Sequence, residues 1–194
     1  AQGESKSYFA NGKVEKVFQY KDDALDGYYV EYYKNGNIAE QGNFKNDERE
    51  GDWISYFPDK TVASRKYYIE GDANGTQKYY AVNGRLSETN TYYKGAVLNF
   101  SSYDTLGRLV DSINLVNSSG KVVCHYYKDG PVKIDINILY NEYHDDYLVY
   151  YPNGKLNYKG KYFLGKKNGV WTYYHWNGNI SSNGAYDYDD ETGK

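Results

Sequence analysis

A turn signature stands at residues 32–38, Tyr32-Tyr33-Lys34-Asn35-Gly36-Asn37-Ile38, and versions of it return every 23 or 24 residues along the chain. Glycine fills the anchor position of the signature in seven of the eight copies, and lysine fills it in the other. The anchors are Gly12, Gly36, Lys60, Gly84, Gly107, Gly130, Gly154 and Gly178. A fixed period of this length indicates a protein built from tandem repeats, so the repeat organises the whole chain.

Three positions around the anchor keep their character in every copy. The residue four before it is always tyrosine, as in Tyr32, the residue two after it is aliphatic, as in Ile38, and the residue eight after it is apolar, as in Phe44. A second glycine follows fifteen residues after the anchor in five copies, at Gly27, Gly51, Gly75, Gly169 and Gly193. A unit of this length with two turn signals has room for two strands of about five to eight residues and not for a helix.

Proline positions select the turn type. Pro58 and Pro152 each stand two residues before an anchor. Proline is favoured at position i+1 of a type I turn, so each proline is assigned to that position. The anchor then takes the left-handed position of a bulged three-residue loop. In this register Tyr32 pairs with Ile38, whereas a two-residue turn would place them on opposite faces. The sequence therefore predicts bulged hairpins with turns near Asn11, Asn35, Asp59, Asn83, Asn153 and Asn177.

The same register predicts two unlike faces of the sheet. We expect one face to be a structural ladder that carries Tyr32, Ile38 and Phe44 and their counterparts. The other face is expected to be exposed, to hold the aromatic residues of the leading strands, and to bind a partner, because Tyr and Trp are favoured at binding hot spots. The alternative is that these aromatic residues only stabilise the sheet. The partner-binding candidates are Tyr29, Tyr33, Trp53, Phe57, Tyr147, Tyr151, Trp171 and His175.

The segment from Tyr32 to Phe57, with Tyr-Tyr-Lys-Asn-Gly-Asn-Ile, Gly-Asn-Phe-Lys and Gly-Asp-Trp-Ile-Ser-Tyr-Phe, resembles the bacterial MORN-repeat variant, and residues 150–174 repeat it closely. The resemblance extends over essentially the whole chain. It implies an all-β fold, an elongated antiparallel meander of about eight tandem β-hairpins in a single-layer twisted sheet, with a binding or scaffolding role and no catalytic residues. Relatives of this kind are often exported, and some are labelled antitoxin-type repeat proteins. We predict one array over residues 1–194, degenerate in 84–130.

Composition narrows the classes of partner. The net charge is −3 and the basic residues are dispersed, so the basic stripe of a nucleic-acid binder is missing and no nucleic-acid partner is predicted. No apolar run approaches the roughly 18 to 20 residues that span a bilayer, so no integral membrane segment is predicted. The start at Ala1 without Met favours an exported, periplasmic or cell-surface protein. The end at Lys194, where the next copy would place its Trp-x-x-Tyr, predicts a fragment of a longer protein.

Candidate catalytic and metal-binding groups do not form a shared site in the sequence. Cys124 occupies the position that Trp53 occupies in its own copy, which predicts a packed side chain. The three histidines lack ligand spacing, and the acidic run from Asp187 aligns with ordinary turns. We therefore predict a non-catalytic repeat scaffold without cofactor or metal that binds a protein partner. A carbohydrate- or cell-envelope-binding module is the alternative, and an enzyme would need a polar pocket with shifted pKa values.

Overall fold

A computed structural model of the chain describes residues 2–193, and these residues form β-strands and turns without any helix. The strands are antiparallel and follow one another as tandem hairpins, which confirms the predicted all-β architecture. The chain forms two compact units that meet in sequence at Gly95 and Ala96. A single array over the whole chain stays a prediction.

Unit 1 is a sheet whose strands pair in chain order. The strand of residues Val62–Ile69 pairs first with the short strand Asp72–Ala73 and then with Gly75–Tyr80, because Asn74 interrupts what is one leading strand in the other copies. The strands in the described part of unit 1 are β1 (Gly3–Tyr8), β2 (Val14–Lys21), β3 (Ala24–Tyr32), β4 (Ile38–Lys45), β5 (Glu48–Tyr56), β6 (Val62–Ile69), β7 (Asp72–Ala73), β8 (Gly75–Tyr80) and β9 (Leu86–Tyr93).

Unit 2 begins with the hairpin of β10 (Ala96–Tyr103) and β11 (Leu109–Asn114). A seven-stranded sheet follows, and its strands pair in chain order. The Asp111 carboxylate links the hairpin to the first strand of this sheet, because it accepts a hydrogen bond from the backbone N–H of His125 at 2.7 Å. The buried aliphatic core of unit 2 consists of Leu115, Val122, Cys124 and Ile136. The sheet contains β12 (Gly120–His125), β13 (Val132–Leu139), β14 (Glu142–Tyr150), β15 (Leu156–Phe163), β16 (Lys166–Tyr174), β17 (Ile180–Asp187) and β18 (Asp190–Gly193).

The anchor turns have the predicted geometry. Gly36 has a φ of 90°, Tyr33 donates its N–H to the Asn37 carbonyl at 2.8 Å, and Tyr32 pairs with Ile38. Even the lysine anchor adopts the left-handed conformation, with a φ of 75° at Lys60. The turns near Asn11, Asn35, Asp59, Asn83, Asn153 and Asn177 are therefore confirmed.

A second kind of turn joins one hairpin to the next. Each is a two-residue turn whose central residues both have positive φ, which is the type I′ geometry of tight hairpins. The turns consist of residues 22–23, 46–47, 70–71, 94–95, 117–118, 140–141, 164–165 and 188–189. The second glycine of the repeat lies within the next strand instead, where Gly51 has a φ of 68° at a bulge in β5.

Two details of the predicted register are wrong. Glu31 pairs with Glu40 although Tyr32 pairs with Ile38, so Ala39 is an extra residue in β4. This bulge reverses the alternation of side chains, and Phe44 therefore lies on the face opposite Tyr32 and Ile38 instead of on their ladder. In the sixth hairpin Val132 pairs with His125, one residue before the expected tyrosine.

Candidate functional site

Trp53 and Trp171, the leading candidates for partner contact, are the largest fully buried side chains, each 1% exposed. The Trp53 ring centroid lies 5.0 Å from that of Phe44 and 5.5 Å from that of Tyr29, and its Nε1 donates to the Asn43 carbonyl at 3.1 Å. The prediction that these indoles lie on an exposed face is therefore wrong. The face that they occupy is the packed face of the sheet.

The cause of this burial is a glycine on the neighbouring strand. A Cβ at Gly42 would lie 2.3 Å from the Trp53 indole, and a Cβ at Gly160 would lie 2.2 Å from the Trp171 indole. Each indole therefore rests directly on the backbone of its glycine. The bulge at Gly51 shifts β5 relative to β4, which lets the Trp53 ring reach that place.

A cation covers each indole. The Arg49 guanidinium lies 3.9 Å from the Trp53 ring centre and forms an ion pair with Glu40 at 2.8 Å. The Lys167 Nζ lies 4.6 Å from the Trp171 ring centre. Cation–π contacts of this kind contribute about 0.5–2 kcal/mol. The aromatic clusters around Trp53 and Trp171 are thus packed structural units, and they lie five copies of the repeat apart.

The tyrosines beside the two indoles are half-buried. Burial raises the pKa of the Tyr29 hydroxyl well above its usual range, and the hydroxyl donates to Glu31 at 2.9 Å. Burial likewise raises the pKa of Tyr147, whose ring lies 5.9 Å from that of Trp171. A hydroxyl held neutral in this way is a packing group and does not act as a base near neutral pH.

The position of Trp53 is the core position of the repeat in other copies as well. Its counterparts Gln77, Ser101 and Cys124 are all buried. The sequence contains a signal for the two tryptophans, because each occurs where the preceding strand offers a glycine, at Gly42 and Gly160. The buried position of Cys124 agrees with its predicted packing role.

The remaining candidates lie along the anchor turns. Tyr33 donates its hydroxyl to the Tyr56 carbonyl at 2.7 Å, and Tyr151 donates to the Tyr174 carbonyl at 2.8 Å, so each fastens its hairpin to the next. Phe57 is half-buried and His175 is exposed. These four side chains remain partly or fully accessible, in contrast to the two tryptophans.

A shallow, open groove runs along the first three anchor turns of unit 1. The groove has a volume of about 490 Å³, and it is lined by residues that include Phe9, Tyr33, Lys34 and Pro58. The side-chain amide of Asn37 donates to the Pro58 carbonyl at 2.8 Å, which ties two of the turns together. The groove suits a segment of a larger molecule better than a small substrate, because it does not enclose its contents.

The described residues 2–193 contain no cluster of histidine, cysteine and acidic side chains suited to a metal ion. Within the same range, no helix is long and apolar enough to cross a bilayer. The model of the MORN repeat variant family matches three segments, residues 1–22, 25–46 and 146–163. A comparison with curated proteins gave no match.

Proposed function

We propose that this chain, which carries repeats of the MORN variant family, is a non-catalytic scaffold that binds a protein partner. The observation that carries the proposal is the groove along the anchor turns of unit 1. Phe9, Tyr33 and Pro58 come from three successive hairpins and give the groove apolar walls. Glu31 and Lys34 add one charged residue of each sign. A wall assembled from successive repeats is how solenoid proteins build extended binding surfaces.

The electrostatics of the described residues support a binding role over a catalytic one. Burial raises the pKa of tyrosines such as Tyr79, and hydrogen bonding lowers the pKa of acids in the anchor turns such as Asp59 and Asp104. Both directions move a group away from the near-neutral pKa that general acid–base catalysis needs. We therefore place the function in recognition.

The experiment is affinity capture followed by calorimetry. The chain is immobilised, its captured partner is identified by mass spectrometry, and the purified partner is titrated into wild-type protein and a Phe9→Ala variant. We expect Phe9→Ala to weaken the complex at least about tenfold, which is about 1.4 kcal/mol, with an unchanged melting temperature. Val82→Ala is the matched control, because Val82 is an exposed apolar residue of the fourth anchor turn outside the groove.

Two outcomes would contradict this proposal. Equal affinity of the wild-type and Phe9→Ala proteins would remove the groove as the binding surface. Specific binding on a glycan array, together with no captured protein, would favour the carbohydrate-binding alternative.

A further inference from the structure

Three of the four two-residue turns of unit 2 present bulky apolar residues to solvent. The first central residues of these three successive turns are Tyr140, Leu164 and Tyr188, which are 72%, 50% and 50% exposed. The corresponding residues are polar or charged at the other turn of unit 2 and throughout unit 1, namely Asn117, Asp22, Asn46, Glu70 and Lys94. The same backbone geometry therefore carries a different surface chemistry at the three apolar tips.

The backbone at these three residues makes their identity unexpected. Tyr140, Leu164 and Tyr188 each have a φ of 48°, a left-handed conformation that bulky L residues seldom adopt and that Asn and Asp adopt more readily. Their exposure means that they contribute little to a core. A strained position occupied by an exposed apolar side chain points to a function that requires that side chain.

The three tips and Phe163 lie at the same end of successive hairpins and form what we define as the apolar ridge: Tyr140, Phe163, Leu164 and Tyr188. The Phe163 ring packs edge-on against Tyr188 with the centroids 5.9 Å apart. Successive turns are joined by backbone hydrogen bonds, such as the one from Asp189 N–H to the Lys167 carbonyl at 3.0 Å. Because two strands separate successive tips, the tips are spaced about 9–10 Å apart.

Acidic side chains flank the apolar ridge. Glu142, Asp187 and Asp190 are exposed beside the turns, and the Glu142 carboxylate lies against Gly165 of the middle turn. Lys166 is the exposed basic residue next to that turn. This excess of carboxylates attracts a basic partner and disfavours an anionic membrane surface.

We infer that the apolar ridge is a docking surface for a basic amphipathic helix. Helix residues seven apart lie on one face about 10.5 Å apart, which matches the spacing of the ridge tips. Side chains on one face of a strand recur about 6.7 Å or 13 Å apart, which does not match. Basic residues on the flanks of the helix face the carboxylates beside the turns, as in other helix-docking surfaces.

The test uses the whole chain and a fluorescein-labelled synthetic Lys-rich helix whose leucines recur every seven residues. Fluorescence anisotropy is measured with wild-type protein and with the triple variant Tyr140→Asn, Leu164→Asn, Tyr188→Asn. We expect the triple variant to lose at least tenfold in affinity while its melting temperature stays the same or rises, because asparagine accepts a positive φ. The matched control is the triple variant Asp22→Asn, Glu70→Asn, Lys94→Asn, which changes the equivalent turns of unit 1 and should retain wild-type affinity.

The inference would be overturned if wild-type protein did not bind the peptide, or if the ridge variant bound it with the same affinity as wild type. It would also be overturned if wild-type protein bound a peptide of the same composition with scattered leucines equally well, or if the melting temperature of the ridge variant fell markedly. Wild-type binding to phosphatidylcholine or phosphatidylserine vesicles that the ridge variant loses would assign the ridge to a bilayer instead. The groove of unit 1 shares no residue with the apolar ridge, so a failure of either proposal is distinguishable from a failure of the other.

Discussion

The tryptophan at the core position of this repeat depends on a glycine on the preceding strand. Trp53 fits because Gly42 has no Cβ, and Trp171 fits over Gly160 for the same reason. Where that strand offers a larger residue, another side chain occupies the core position, as Tyr29 does opposite Phe18. Each indole therefore fills the space above its glycine, as expected of close-packed interiors.

We expect Trp53→Ala to destabilise unit 1 by about 3–5 kcal/mol, the usual cost of removing a large buried aromatic side chain. Trp176 is the matched control, because it is 56% exposed and its replacement by Ala should cost under about 1 kcal/mol. Urea denaturation followed by circular dichroism measures both. A Trp53→Ala protein as stable as Trp176→Ala would show that the indole does not support the fold.

The facing glycine gives a second prediction at the residue scale. Gly42→Ala should cost about 1–3 kcal/mol, because the added Cβ overlaps the Trp53 ring and forces the core to shift. Gly184 occupies the same repeat position, but a Cβ there would meet nothing nearer than a Tyr186 ring atom at 3.5 Å. Gly184→Ala should therefore be tolerated. Equal melting temperatures for the two variants would contradict the steric explanation.

At the scale of the hairpin, the anchor turn could be predicted from sequence because two prolines limit its geometry. Pro58 and Pro152 fit position i+1 of a type I turn, and that choice fixed the pairing of Tyr32 with Ile38 correctly. The groove along these turns contains Tyr33 from the predicted set. Local sequence is sufficient here because the turn depends on a few adjacent residues.

The faces of the hairpin cannot be predicted from the same residues. Ala39 is inserted in β4 without any distinctive sequence signal, and Gly51 has the sequence signal of a turn although it forms a bulge within β5. Each bulge changes which side chains share a face. As a result, the sequence pattern assigns Trp53 to the partner-binding face although it lies in the core, and the pattern does not indicate the apolar ridge of unit 2.

The lysine anchor gives a prediction for the turn as an element. Lys60 has a φ of 75°, where the other copies with this geometry have glycine, and a non-glycine residue pays about 1–2 kcal/mol in this region. Lys60→Gly should therefore stabilise the protein by about 1 kcal/mol, net of the greater freedom of glycine in the unfolded chain. Gly36→Lys should have the opposite effect. Thermal melting of both variants measures this, and a lower melting temperature for Lys60→Gly would contradict it.

At the scale of the whole molecule, each unit contains its own buried cluster. Unit 1 is built around Trp53, and unit 2 is built around Trp171 and an aliphatic core that includes Val122 and Ile136. Repeat proteins derive their stability from such contacts between neighbouring copies. Several of the 27 tyrosines pack half-buried in these layers, and burial raises the pKa of hydroxyls such as those of Tyr29, Tyr79 and Tyr147. The protein is therefore expected to be sensitive to alkaline pH.

Tyr79 makes this sensitivity testable, since burial raises its pKa to about 12 from the value near 10 that an unfolded chain gives. The stabilising contribution of the neutral hydroxyl is fully present below pH 10. Between pH 10 and 12 the unfolded state releases a proton that the folded state retains, so the free energy of unfolding falls as the pH rises. Tyr79→Phe should flatten this decline, because it removes the hydroxyl whose proton the folded state retains. Urea unfolding at pH 9, 10, 11 and 12 measures the slopes, and a Tyr79→Phe slope identical to that of wild type would contradict the assignment.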